Sequence, residues 1–148
     1  MILRATSALN MRNGLSFESL TMILPSHAAL TKAELLDRYA KGDRNFEQSH
    51  LHDSDMQGVS LHGIDLSESI LTHINFSGAD LRGADFGWAD LSSANLEKVD
   101  LRGAILTRAD LSHANLRGAN LLKADLTLAK LDHAKLSGTI MPDGSKHQ

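Results

Sequence analysis

The residues in this sequence best suited to carry chemistry are aspartates that recur at multiples of five. Six of them stand in the central part of the chain: Asp80, Asp85, Asp90, Asp100, Asp110 and Asp125. Paired carboxylates held in a pocket can act as general acid, base or nucleophile. A strict spacing is instead typical of a turn position in a repeat, where a short carboxylate accepts hydrogen bonds from nearby amides. The spacing therefore favours a structural role for the aspartates, and we expect that the protein is not an enzyme.

The apolar residues follow the same period. A large apolar residue recurs every five positions from Phe46 to Leu136, nineteen times without a slip. Apolar spacing near 3.6 predicts a helix and spacing of 2 predicts a strand, so a period of five fits neither. Each five-residue segment must form one short side of a coil, which turns a corner and brings the next large residue back inside. The sequence therefore predicts a solenoid.

A second inward position lies two residues before each large one. It is alanine from Ala79 to Ala134, with the exception of Val99. The interior of such a coil is narrow, and a larger side chain would overpack it. The predicted core comprises Phe76, Leu81, Phe86, Leu91, Leu96, Leu101, Leu106, Leu111, Leu116, Leu121 and Leu126.

The five-residue motif, which reads ADLRG at residues 79–83 and ANLEK at 94–98, resembles that of the pentapeptide-repeat family. The resemblance covers about two thirds of the chain. It implies an all-β solenoid, a right-handed quadrilateral β-helix with four pentapeptides in each coil. Residues that differ by twenty positions then stack in one column, about 4.8 Å apart.

The repeat predicts four segments along the chain. Residues 1–30 form a flexible extension, 31–42 a capping helix, 44–141 the β-helix and 142–148 a C-terminal tail. A helix is expected before the first coil because the end of a solenoid exposes unpaired backbone and apolar side chains. The cap residues are Thr31 and Glu34, which form a capping box, and the apolar Leu35, Leu36 and Tyr39. This lead-in also resembles that of cyanobacterial members of the family.

The N-terminal 25 residues are read as a poorly ordered extension, with a targeting segment as the alternative. Arg4, Arg12 and Glu18 interrupt their apolar stretches, which argues against a secretory signal. The chain has no cysteine and no apolar run near 18 residues, so we expect no disulfide and no membrane span. These features favour a cytoplasmic location.

Histidines offer the one arrangement that suggests a metal. His113 and His133 stack in adjacent coils under a twenty-residue period, and Ser93 separates them from His73. Two imidazoles about 4.8 Å apart can share a metal ion. Two ligands make a weak site, so we predict no bound metal and no cofactor.

The charge balance argues against nucleic-acid binding. Arg82 and Arg102 stack in one column, between His62 and Leu122, but the stretch from Phe46 to Met141 carries 13 acidic residues against 8 Lys plus Arg. A nucleic-acid-binding protein needs a basic face. We therefore expect a protein partner, and the sequence does not indicate an oligomeric state.

Exposed apolar residues indicate where that partner binds. Trp88, Arg108 and Leu128 fall in one outward column, and Ile70 and Ile105 replace the repeat's usual aspartate. Aromatic residues and arginine are enriched in protein interfaces. The sequence therefore predicts a non-enzymatic interaction scaffold. The alternative, which the resemblance implies, is a DNA mimic that regulates a type II topoisomerase such as gyrase. The short rod, the modest charge, the absence of an inserted loop and a C-terminus without aromatic residues weaken that alternative.

Overall fold

The backbone winds into a four-sided coil. A computed structural model describes residues 29–148, in which helix α1 (Lys32–Ala40) precedes the coil. The sides of the coil are too short to form continuous strands and pair through single parallel bridges between residues twenty apart. Four columns of bridges begin at Asn45, His50, Asp55 and Ser60, and we number the sides one to four after these residues. Each side is taken together with the corner that follows it.

One pentad in the middle of the rod shows why an aspartate precedes each leucine. The amides of Asp80, Leu81 and Gly83 donate to carbonyls of the two neighbouring coils at 2.8–2.9 Å. The amide of Ala84 closes a turn on the Leu81 carbonyl at 3.1 Å. The remaining amide, of Arg82, donates to Asp80 Oδ1 at 3.2 Å. The aspartate thus accepts from the one amide that neither the coil-to-coil ladder nor the turn satisfies, and every amide of the pentad has a partner.

The interior is a single stack of apolar side chains. Each large residue from Phe76 to Leu121 is at most 1% exposed, and so is each small residue from Ala79 to Ala119. Burial of one leucine contributes about 1.5–3 kcal/mol, so the stack is the main source of stability. Leu126, which was predicted in the core, is only partly buried. It belongs to the last coil, and none of the described residues adds a further coil outside it.

Helix α1 covers the N-terminal end of this stack. Thr31 and Glu34 form the capping box, with the Glu34 amide donating to Thr31 Oγ1 at 3.1 Å and the Thr31 amide donating to Glu34 Oε2 at 3.4 Å. Leu35 is fully buried, and the Tyr39 hydroxyl donates to the His62 carbonyl at 2.7 Å. Leu36 and Tyr39 are partly buried against the core. Within residues 29–148, no helix has the length and apolarity that crossing a bilayer requires.

Both ends differ from the sequence-based expectation. The predicted extension 1–30 lies outside the described residues up to position 28, but Ala29 forms a parallel bridge with His50 on side two. The predicted tail 142–148 is not a free end. It turns back and pairs antiparallel with the last side, where the Gly138 amide donates to the His147 carbonyl at 2.8 Å. The turn after Met141 closes a hairpin that covers the open backbone of side four.

Candidate interaction surface

The outermost residue of each corner has a left-handed backbone. In the coils these residues have φ between +55° and +76°. Glycine adopts this conformation freely, whereas a side chain is strained in it. Two of the four corners nevertheless carry side chains in every coil. The Trp88 corner, after side one, consists of Gln48, Glu68, Trp88, Arg108 and Leu128, and the His113 corner, after side two, of Asp53, His73, Ser93, His113 and His133.

The Trp88 corner carries the most exposed large apolar side chains of the described residues. Trp88 is 62% exposed and Leu128 is 63% exposed. The guanidinium carbon of Arg108, one coil further on, lies 4.7 Å from the centroid of the indole ring. This cation–π contact is worth about 0.5–1 kcal/mol at an exposed site. It restrains the indole, so the corner offers a large aromatic side chain whose conformation is already limited.

Ile70 and Ile105, the other two predicted residues, lie on the sides that meet at this corner. Ile105 belongs to the bridge column of side one and Ile70 to that of side two. They are 42% and 39% exposed. The fold therefore gathers all five sequence-predicted residues around one edge of the rod. We call this edge, defined by Ile70, Trp88, Ile105, Arg108 and Leu128, the Trp88 patch.

Glu68, which was not among the residues predicted from the sequence, lies next to Trp88. The two residues line a shallow depression on the surface. Gln48, one coil before, donates from Nε2 to Glu68 Oε2 at 3.2 Å. Glu68 precedes Trp88 by twenty residues, so the twenty-residue period predicts that the two side chains are neighbours in one column. The patch therefore has a carboxylate directly beside its aromatic residue.

His113 and His133 lie on the His113 corner, which adjoins the Trp88 corner along the coil. The rings of His113 and His133 are stacked, with centroids 4.9 Å apart and an angle of 17° between planes. Among residues 29–148 there is no group of three or more histidine, cysteine or acidic side chains placed to hold a metal ion. The stack therefore adds two flat, polar aromatic surfaces to the rod, and the described side chains around it do not complete a metal site.

The arginine column on side four is neutralised by its own carboxylates. Arg82 pairs with Asp80 and Arg102 with Asp100, each at 2.7 Å, and Arg82 Nε also lies 4.0 Å from Asp100 Oδ2. The hydrogen bond from Arg82 is the main reason that the pKa of Asp80 lies below its ordinary value of 3.8, and Arg102 lowers the pKa of Asp100 in the same way. The column is therefore a ladder of ion pairs, which does not present a free basic stripe.

These ion pairs predict a pH-dependent contribution to stability. A carboxylate whose pKa is lowered by folding stabilises the native state above its unfolded pKa, and the contribution is lost as the pH falls through the folded pKa. We expect the double variant Asp80→Asn, Asp100→Asn to melt up to a few degrees below wild type at pH 7, since exposed ion pairs contribute little to stability. Asparagine retains the turn acceptor, so the variant removes the ion pairs and leaves the turns in place.

The difference in melting temperature should close as the pH falls well below 3.8. Thermal denaturation followed by circular dichroism between pH 2 and pH 7 measures it. The partner variant Arg82→Gln, Arg102→Gln should show the same loss at pH 7. A gap that is the same at every pH would show that the ion pairs do not contribute.

Comparison with known proteins agrees with this geometry. The model of the pentapeptide-repeat family matches in eight copies, over residues 44–72, 69–108 and 104–141. None of the curated protein sequences matches the chain significantly.

Solved structures show the same fold. A pentapeptide repeat protein from Nostoc PCC 7120 is 38% identical, with a TM-score of 0.67 over 74% of this chain and 97% of that one. A pentapeptide repeat protein from the thylakoid lumen of Arabidopsis thaliana is 32% identical, with a TM-score of 0.62 over 74% and 73%. QnrB1, a plasmid-mediated fluoroquinolone resistance protein, is 19% identical, with a TM-score of 0.34 over 67% and 66%, too low to support a functional argument.

The family match extends along the rod from its first pentad to its last. The bridge columns independently give the coil four sides and a period of twenty residues. The predicted right-handed quadrilateral β-helix is therefore confirmed. The chain belongs to the pentapeptide-repeat family.

Proposed function

We propose that this chain is a non-enzymatic interaction module that binds a protein partner through the Trp88 patch. The main support for the proposal is that Trp88 is 62% exposed and yet restrained, since the guanidinium carbon of Arg108 lies 4.7 Å from the centroid of its indole ring. A partner that buries a restrained side chain loses less conformational entropy than one that buries a freely rotating side chain. Single exposed apolar residues are common on any protein, but here four of them and an arginine lie along one edge of the rod.

The non-enzymatic part of the proposal is supported by the interior and by the aspartates. Leucine and alanine fill the coil, and the repeated aspartates are occupied as acceptors for turn amides, as at Asp80, Asp85 and Asp90. A catalytic carboxylate needs a pocket in which substrate can reach it. We place the protein in the cytoplasm, because disulfides are rare in that compartment and the sequence contains no cysteine.

The experiment is affinity capture followed by measurement of binding. A protein retained by the immobilised full-length chain is identified, and its Kd is compared between wild type and Trp88→Ala. Truncation of a central tryptophan commonly costs about 2 kcal/mol or more, which corresponds to about a thirtyfold loss of affinity. We expect at least this loss, with a melting temperature within a few degrees of wild type because Trp88 lies outside the core.

Lys98→Ala is the matched control. Lys98 lies in the same coil, at the diagonally opposite corner, and has the same left-handed backbone, with φ of +55° against +60° for Trp88. It should bind as wild type does. Asp80→Ala is unsuitable as a control because it removes an ion pair and a turn acceptor. Equal affinities for Trp88→Ala and Lys98→Ala would place the interaction elsewhere on the rod.

The alternative function, a DNA mimic that binds gyrase, is favoured by one observation, the excess of acidic residues on the rod. A supercoiling assay at micromolar protein separates the two functions. The scaffold proposal predicts no effect on gyrase. Strong inhibition that is relieved by salt would favour the mimic, because such binding is mainly electrostatic.

A further inference from the structure

The apolar Trp88 patch lies on the acidic half of the rod. Between residues 45 and 143, sides one and two carry nine carboxylates and two Lys or Arg, a net charge of −7. Sides three and four carry five carboxylates and six Lys or Arg, a net charge of +1. The carboxylates of the acidic half are Glu47, Asp53, Asp65, Glu68, Asp85, Asp90, Asp110, Asp125 and Asp132.

These carboxylates are held by neutral donors more than by cations. Asp65, Asp90 and Asp125 each accept from a serine or threonine hydroxyl at 2.6 Å. The hydroxyl of Thr127 lowers the pKa of Asp125, and hence favours its charged form. The ion pairs between carboxylates and Lys or Arg within residues 45–143 all lie on side four. The negative charge around the patch is therefore available to a partner.

The corners also differ between the two halves of the rod, and they divide it in the same way as the net charge does. At the left-handed position, the corners after sides three and four together carry glycine at seven places and lysine at two, Lys98 and Lys123. The corners after sides one and two carry ten side chains and no glycine. Residues with strained backbone cluster at functional sites in proteins. Both asymmetries mark the same half of the rod, which contains Trp88.

We propose that the Trp88 patch, together with side two, docks the lysine- and arginine-rich surface of a protein partner that offers an apolar pocket for the indole. This inference rests on the proposed function and names the chemistry of its partner. Basic side chains of the partner face Glu68 beside the indole and the carboxylates of side two, including Asp90 and Asp110. A second copy of this chain fits poorly as the occupant, because two acidic halves placed together repel each other.

The test uses random peptides displayed on phage as the probe and the full-length chain as the target. Enriched peptides should combine lysine or arginine with a large apolar residue. Their affinities are then measured against wild type, Trp88→Ala, Glu68→Lys and Glu97→Lys. The last two variants change the net charge equally, but Glu97 lies on side three. We expect Glu68→Lys to weaken binding about tenfold or more, because like charges would face each other, and Glu97→Lys to leave it within about twofold.

Each outcome decides a different point. If the enriched peptides are neutral or acidic and do not bind Trp88→Ala, the inference of a basic partner is wrong, but the Trp88 patch is still the docking site. Equal weakening by Glu68→Lys and Glu97→Lys would show general attraction to net charge and would also overturn this inference. If no peptide depends on Trp88, both proposals fail. Sedimentation that shows self-association abolished by Trp88→Ala would identify a second copy as the occupant instead.

Discussion

Leu101→Lys is expected to unfold or aggregate the protein. Leu101 is 1% exposed and lies in the third coil, with further coils stacked on both sides. A lysine there places an ammonium group among leucine and alanine side chains with no acceptor. An uncompensated buried charge costs several kcal/mol, comparable with the whole stability of a typical domain. We expect loss of the cooperative melting transition in circular dichroism and elution as aggregate in size-exclusion chromatography.

Ala104→Trp should have a similar effect through a different cause. Ala104 is 1% exposed at the second inward position, where the narrow coil has no room for an indole.

Ser137→Lys is the matched control for Leu101→Lys, since it places the same lysine side chain at an exposed position on the outside of the rod. It should melt as wild type does. A folded Leu101→Lys with an unchanged melting temperature would contradict the assignment of this residue to the core.

Deletion of residues 1–42 is expected to expose the first coil and cause association. Helix α1 buries Leu35 completely, and Arg38 lies over the Phe46 ring with its guanidinium carbon 4.4 Å from the centroid. Without the helix, Phe46 and the backbone of the first coil face solvent, and an open edge of this kind pairs with other chains. Loss of several kcal/mol should lower the melting temperature by about 10 °C or more.

Deletion of residues 1–25 is the control for this truncation. These residues lie outside the described part of the chain, and we expect their removal to leave the melting temperature nearly unchanged. A point variant refines the test: Leu35→Ser should destabilise the protein, and Ala33→Ser, on the exposed side of the same helix, should not. Sedimentation velocity measures the association. A monomeric, equally stable protein after deletion of 1–42 would show that α1 is not a cap.

The period of five residues was sufficient to predict the solenoid and the role of most positions in it. Each pentad makes the same contacts with the pentads twenty residues before and after it, so one short motif determines its own environment. The inward placement of Leu101 and Ala104 and the turn role of Asp80 could therefore be predicted from spacing. The contact of Arg108 with Trp88 follows from the same register once the coil is known to have four sides.

Features that do not recur with the five-residue period were decided only by the tertiary structure. Stacking four columns side by side placed Ile70, Trp88 and Ile105, far apart in the sequence, around one edge, and collected nine carboxylates on one half of the rod. The ends were decided in the same way. Leu126 has the sequence environment of any core leucine but is only partly buried, and residues after Met141 close a hairpin where a tail was predicted. The physical reason is that a residue's burial in a solenoid depends on the coil outside it, and the last coil has no such neighbour among the described residues.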